Sequence, residues 1–129
     1  MKTKFLMSAS AIVMGIIGIV LTFAPQEFAN YFSLTGTSAT ILQLSGALYF
    51  GFAIINWTAR ANLIGGIYSK PVAMGNLTHF VIGALALVKF ASHNLGLVYV
   101  WIAVIIYSVF AILFGYVSFT NPILKSKSI

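Results

Sequence analysis

Residues 40–60 read TILQLSGALYFGFAIINWTAR. The run is as long as one bilayer crossing, for which a helix needs about 20 mostly apolar residues. Gln43, Tyr49 and Asn56 lie inside it, Gly46 and Gly51 thin it, and Trp57 and Arg60 close it. Apolar residues run through the whole stretch instead of keeping to one face, so its solvent is lipid and protein. A tryptophan followed by a cation marks a membrane–water boundary.

Composition extends this reading to the whole chain. Of 129 residues, 60% are hydrophobic and 6% charged. A soluble domain carries roughly 25% charged residues, so no water-facing surface can be built from this chain. The length suits about four spans joined by short connections. The sequence predicts an all-α membrane protein: one transmembrane domain over residues 1–129, a four-helix antiparallel bundle. The spans are expected at about 5–24, 40–59, 71–90 and 95–119.

Seven cations stand against the single acid Glu27, a net charge of +6. The cations are not interleaved with aromatics in one patch, which argues against a nucleic-acid partner. They lie at the ends of apolar runs, where they encode orientation. Lys2, Lys4, Arg60, Lys70, Lys125 and Lys127 fall on one side of the expected topology, Lys89 and Glu27 on the other. Both termini are therefore expected on the cytoplasmic side of the membrane. The chain has no cysteine, which removes disulfides, thiolate metal sites and cysteine nucleophiles.

The first apolar run follows Met1-Lys2-Thr3-Lys4 in the manner of a signal peptide. It is long for one, and Pro25 follows the best small-residue cleavage site, so it is read as an uncleaved span. Ser8, Ala11, Gly15, Gly18 and Thr22 share a narrow helical arc that lets another helix approach closely. Pro25 ends the helix. Residues 26–32 suit a short amphipathic helix at the interface, and Ser38 suits an N-cap for the second span. There, Thr40, Gln43, Ala47, Gly51 and Thr58 form one small, weakly polar face, and Ser45, Tyr49 and Asn56 another. Two such faces predict protein neighbours on both sides.

Gly65-Gly66 suits a hinge, and Pro71 the first turn of the third span. In that span Gly75, His79, Gly83, Ala86 and Phe90 share an arc with Asn76 beside it. Residues 91–94 are expected to turn. Residues 95–119 are long for one crossing, which implies a span that is tilted or protrudes. Ser108, Ala111, Gly115 and Ser118 repeat the small stripe of the first span, so those two spans are expected to face each other. Asn121-Pro122 stops the last helix. Gly46-Ala47-Leu48 and Gly83-Ala84-Leu85 match, but on helices of opposite direction, so they indicate recurring packing and no duplication.

His79 is the ionisable residue nearest mid-membrane, a depth at which polar groups are costly. It is read in two ways: as part of a ligand site with Gln43, Tyr49 and Asn56, or as a neutral imidazole bonded to a neighbouring helix. The ligand site would suit a quinone; haem would need a second copy of the chain, because His93, the other histidine, sits in the turn on the opposite side, about 21 Å along the axis. Trp57 and Arg60 are read as a headgroup site or an interfacial anchor. Gly15, Gly18, Gly46, Gly51, Gly83 and Gly115 are read as helix-packing positions. Asn76-Leu77-Thr78 fits a glycosylation pattern but falls inside a span. One acid cannot supply paired-carboxylate acid/base work or a carboxylate metal site, so no catalytic set and no metal are expected.

The chain also resembles a known group. Ala24-Pro25, Phe28-Ala29 and Phe32-Ser33-Leu34 follow the first span. Leu42-Gln43, Gly46-Ala47-Leu48-Tyr49, Gly51-Phe52-Ala53 and Trp57-Thr58-Ala59-Arg60 make up the second. This pattern resembles the small four-helix bacterial membrane proteins loosely grouped as DoxX-like. The resemblance implies the same bundle; some members of the group are linked to quinone-coupled respiratory chemistry. No residue set in this chain carries that activity over position by position. The leading expectation is a structural or accessory subunit, a homo-oligomer or part of a larger membrane complex. The alternative is a quinone-binding or transporter-like protein centred on His79.

Overall fold

The computed structural model describes residues 3–34, 36, 38–62, 64 and 69–120. Lys2, the Gly65-Gly66 hinge, Asn121-Pro122, Lys125 and Lys127 lie outside the described residues. Along the described residues run five helices: α1 (Thr3–Phe23), α2 (Pro25–Tyr31), α3 (Ala39–Ala59), α4 (Lys70–His93) and α5 (Val98–Phe119). All but α2 are long and apolar enough to cross a membrane. Large aliphatic side chains point outward, Leu48 70% and Ile112 71% exposed, as lipid-facing positions do. The chain divides into two compact units, Met1–Ala61 and Asn62–Ile129.

In the first unit α1 stops at Phe23 and Pro25 takes the first turn of α2, where its missing N–H is not needed. The ring centroids of Phe28 and Phe32 are 4.5 Å apart. The end of α2 is closed by Leu34 N–H on Ala29 O (2.8 Å) and Ser33 N–H on Asn30 O (3.2 Å). This is a Schellman closure, and it puts Ser33 at φ 55°, a conformation more often left to glycine. Ser38 caps α3 as expected, accepting from Thr40 N–H at 3.2 Å.

α1 and α3 pair closely. A Cβ added at Gly18 would meet Phe50 N at 2.8 Å and Gly46 O at 3.0 Å. One added at Gly46 would meet Thr22 Oγ1 at 2.6 Å and Gly18 O at 3.0 Å. Neither glycine has room for a side chain, because the obstacles include the partner's backbone. Gly15 makes only an ordinary contact with Ala53, at 3.6 Å for an added Cβ. The buried residues of α1 are Leu6, Met7, Ser10, Ala11, Met14, Gly18 and Leu21. They share Ala11 and Gly18 with the expected small stripe, while Ser8, Gly15 and Thr22 are half-buried.

In the second unit α4 continues to His93, past the turn expected at 91–94. The reason is local. Ser92 Oγ bonds Lys89 O (2.8 Å) and Asn94 Nδ2 bonds Phe90 O (3.0 Å), so polar side chains finish the helix instead of breaking it. The turn follows at 94–97, and α5 begins at Val98. At 22 residues α5 is about 33 Å long, one ordinary crossing, not the over-long span expected. Phe80, fully buried, stacks on Phe110 (centroids 4.8 Å apart) and Phe114 (5.7 Å). Near the turn, Ala91, Val100 and Val104 form a second cluster with Leu87 and Leu97.

Candidate functional site

The polar side chains gather at four places, each within one unit. The first is Asn56. It is fully buried on α3, and its Nδ2 donates to Ser10 Oγ at 3.0 Å and lies 3.8 Å from Met14 Sδ. Ser10, also fully buried, donates its own O–H to Met7 O at 3.0 Å. The hydroxyl thus accepts from one helix and donates within the other. In hydrocarbon such a chain is the cheap state, since water cannot replace any of its members.

The second place is Gln43. Its amide reaches Thr22 O at 3.4 Å from an exposed position on α3. Gln43 and Asn56 are about 20 Å apart along α3, and half-buried Tyr49 lies about halfway between them. These three candidate residues of α3 are therefore spread along the helix and do not form one cluster on it.

The third place is His79 on α4. Its Nε2 is 3.3 Å from the hydroxyl of Tyr107 on α5. The ring centroids are 5.6 Å apart. Tyr107 lies against Gly83: a Cβ added there would fall 2.5 Å from Tyr107 Cε1. Gly83 follows His79 by one helical turn, so the absent side chain leaves room for the phenol ring that serves the imidazole. Phe80 closes the site from the side, its centroid 5.1 Å from that of Tyr107. His79 is about 13 Å from the start of α4 and Tyr107 about 13 Å from the start of α5, so both sit near mid-span. With Nε2 engaged by Tyr107, a haem iron would have to displace the phenol to bind there. Among the described residues no three metal-ligating side chains converge.

The fourth place is the end of α3. The Arg60 guanidinium lies 3.8 Å over the Trp57 ring and donates to Trp57 O. This arrangement closes the helix end and holds the cation at a defined point.

Of the expected packing glycines, Gly18, Gly46 and Gly83 are sterically required, while Gly15 and Gly115 make ordinary contacts, Gly115 with Leu77 at 3.6 Å. Gly51 stands apart. It is exposed, and an added Cβ would meet no described atom within 4 Å, because it lies on the α3 face turned away from α1. Asn76 is fully buried and donates to Val72 O at 2.9 Å, so its glycosylation pattern is not presented at a surface.

Ser10 and Tyr107 are the two partners that sequence reasoning missed. The signals were present. Ser10 lies between Met7 and Met14 at helical spacing, and Tyr107, beside Ser108, carries a polar tip in the middle of an apolar run. What the chain order does not state is which helix each one meets. No protein-family model, curated protein or solved structure matches the chain.

Proposed function

We propose that this chain is a small multi-pass membrane protein that acts as an accessory subunit through helix packing, with a second copy of itself as the first partner. It carries out no reaction of its own. The observation that carries this reading is the outer face of α3. Thr40, Gln43, Ala47, Gly51 and Thr58 are all exposed. The outer face of α1 carries Ile12, Ile16 and Ile19, and that of α5 carries Ile102, Ile105 and Ile112. Lipid suits the isoleucine faces. A stripe of small residues with the Gln43 amide in it, although Leu44 and Ile54 are exposed beside it, suits another helix backbone, because close approach and interhelical hydrogen bonds drive association in a bilayer.

In this proposal the four long helices cross the bacterial inner membrane as an antiparallel bundle with both termini in the cytoplasm. The cation distribution supports that orientation: Lys4, Arg60 and Lys70 stand on the same side of the proposed topology. Kinship with the DoxX-like group belongs to the same proposal and rests on the quoted residues alone. Mass measurement of the purified chain in mild detergent tests the function. Oligomers, or a stoichiometric protein partner, are expected. A monodisperse monomer with nothing co-purifying would sink the proposal.

A second reading is favoured by one observation, the Tyr107–His79 hydrogen bond at mid-span. A phenol beside an imidazole at that depth can hold or pass a proton, as a quinone-handling or transporter-like protein requires. Gln43, Tyr49 and Asn56 are its remaining candidates, with quinone or haem as the group handled. In that case His79→Ala abolishes function while the protein keeps its thermal stability. Loss of stability alone assigns His79 to packing, and a purified sample without Soret absorbance removes haem.

A further inference from the structure

We infer that the end of the first unit carrying Lys4, Trp57 and Arg60 binds the phosphate of an anionic phospholipid headgroup. The inference does not depend on how α3 uses its outer face.

The Ser10–Asn56 bond sets the geometry. Lys4 precedes Ser10 by less than two helical turns and Arg60 follows Asn56 by about one, so both cations come to the same end of the α1–α3 pair. Among the described residues no acidic side chain stands at that end. The one acidic side chain in the sequence is Glu27, in α2. It follows the opposite end of α1, a helix of 21 residues and about 31 Å. The chain's net charge of +6 leaves these cations suited to an external anion.

Arg60 is already arranged to receive it. Stacking on Trp57 occupies a face of the guanidinium, and the bond to Trp57 O uses one of its N–H groups. The rest of the planar edge remains, and that edge matches two oxygens of a phosphate. The indole holds the fork at a fixed height. Trp57 is 45% exposed at the end of an apolar helix, where tryptophans settle at headgroup level. A phosphate at that level is a lipid phosphate. Lys4, exposed and flexible, adds charge without fixing geometry.

The test uses the purified full chain in mild non-ionic detergent. The thermal unfolding midpoint is followed as phosphatidylglycerol or phosphatidylcholine is added. Phosphatidylglycerol is expected to raise the midpoint and phosphatidylcholine to leave it unchanged. Arg60→Gln is expected to need about fivefold more phosphatidylglycerol for half the effect, the contribution of one cation near an anionic surface. Arg60→Lys falls between the two, because an ammonium keeps the charge and loses the fork. Lys4→Gln shows a smaller loss, and Lys89→Gln, which removes an exposed lysine of the second unit, none. The proposal is overturned if Arg60→Gln responds as the wild type does, or if Lys89→Gln loses as much as Arg60→Gln. It is also overturned if inorganic phosphate gives the same shift as the lipid. Should Arg60→Gln not fold, Lys4→Gln decides: a reduced response supports the site, and a full response overturns it.

Discussion

Gly18 and Gly46 bring α1 and α3 so near that a methyl on either would strike backbone atoms at 3.0 Å or less. α4 and α5 meet instead through the rings of Phe80, Phe110 and Phe114 and through Tyr107 lying on Gly83. Both pairs must hold apolar helices together without the hydrophobic effect, since lipid tails are as apolar as the side chains. The first unit does so with backbone contact and one buried amide–hydroxyl bond. The second fills its interface with interlocking rings, and glycine serves there to seat a ring, not a helix. A glycine in a membrane helix thus has two jobs, which one substitution can tell apart.

The largest expected effect is in the second unit. Phe80→Ala removes a ring stacked on two others and is expected to cost about 3–5 kcal/mol, read from reversible unfolding in mixed detergent micelles. A loss below about 1 kcal/mol would mean that the rings do not hold the pair. Next come Gly18→Val and Gly46→Val, each expected to cost about 1–3 kcal/mol because the obstacle includes backbone. Gly51→Val, on the same helix as Gly46, is expected to change the stability of the single chain by less than about 0.5 kcal/mol. Equal costs at Gly46 and Gly51 would erase the contrast between the two faces of α3.

Asn56→Ala is expected to cost about 1 kcal/mol, as interhelical hydrogen bonds in membranes do. Adding Ser10→Ala should then cost less than Ser10→Ala does alone, since the bond is already lost. Simple additivity would contradict the Asn56–Ser10 bond. The smallest loss expected at a buried contact is that of Tyr107→Phe, about 0.6 kcal/mol, because the ring stays on Gly83 and only the contact with His79 goes. A larger loss would mean that this hydrogen bond, more than the rings, locks the second unit.

Much of the fold was legible from the chain alone. Residues 5–24, 40–59 and 71–90 lie within α1, α3 and α4 to within a residue at their ends, and Pro25, Ser38 and Pro71 mark helix starts as their chemistry demands. The turn after α4 was misplaced for a physical reason. Ala91-Ser92-His93-Asn94 is polar, and polar residues were read as a break. A helix leaving a bilayer enters a polar zone and can keep turning there, which it does. Of the small stripe of residues 108–118, Ser118 alone is buried. α5 buries Tyr107, Phe110, Phe114 and Val117, while Ser108, Ala111 and Gly115 are only half-buried. Small residues permit close packing but do not require it, and Gly83 offers the rings a place.

The candidate site was legible residue by residue but not as pairs. His79 and Asn56 stood out because polar groups in an apolar run are costly. Their partners, Tyr107 and Ser10, are unremarkable in sequence, and only the rotation of one helix against its neighbour selects them. Gly18, Gly46 and Gly51 look alike as letters. The direction each one faces separates two obligatory contacts from one open position.

That open position gives the most direct test of the proposed accessory role. The chain has no cysteine, so Gly51→Cys is the one thiol in the protein. Oxidative crosslinking in native membranes is expected to convert this variant to a covalent dimer, while Ile112→Cys, on the isoleucine face of α5, stays monomeric. A Gly51→Cys chain that crosslinks no more than Ile112→Cys would contradict the account, because the small face of α3 would then be meeting lipid.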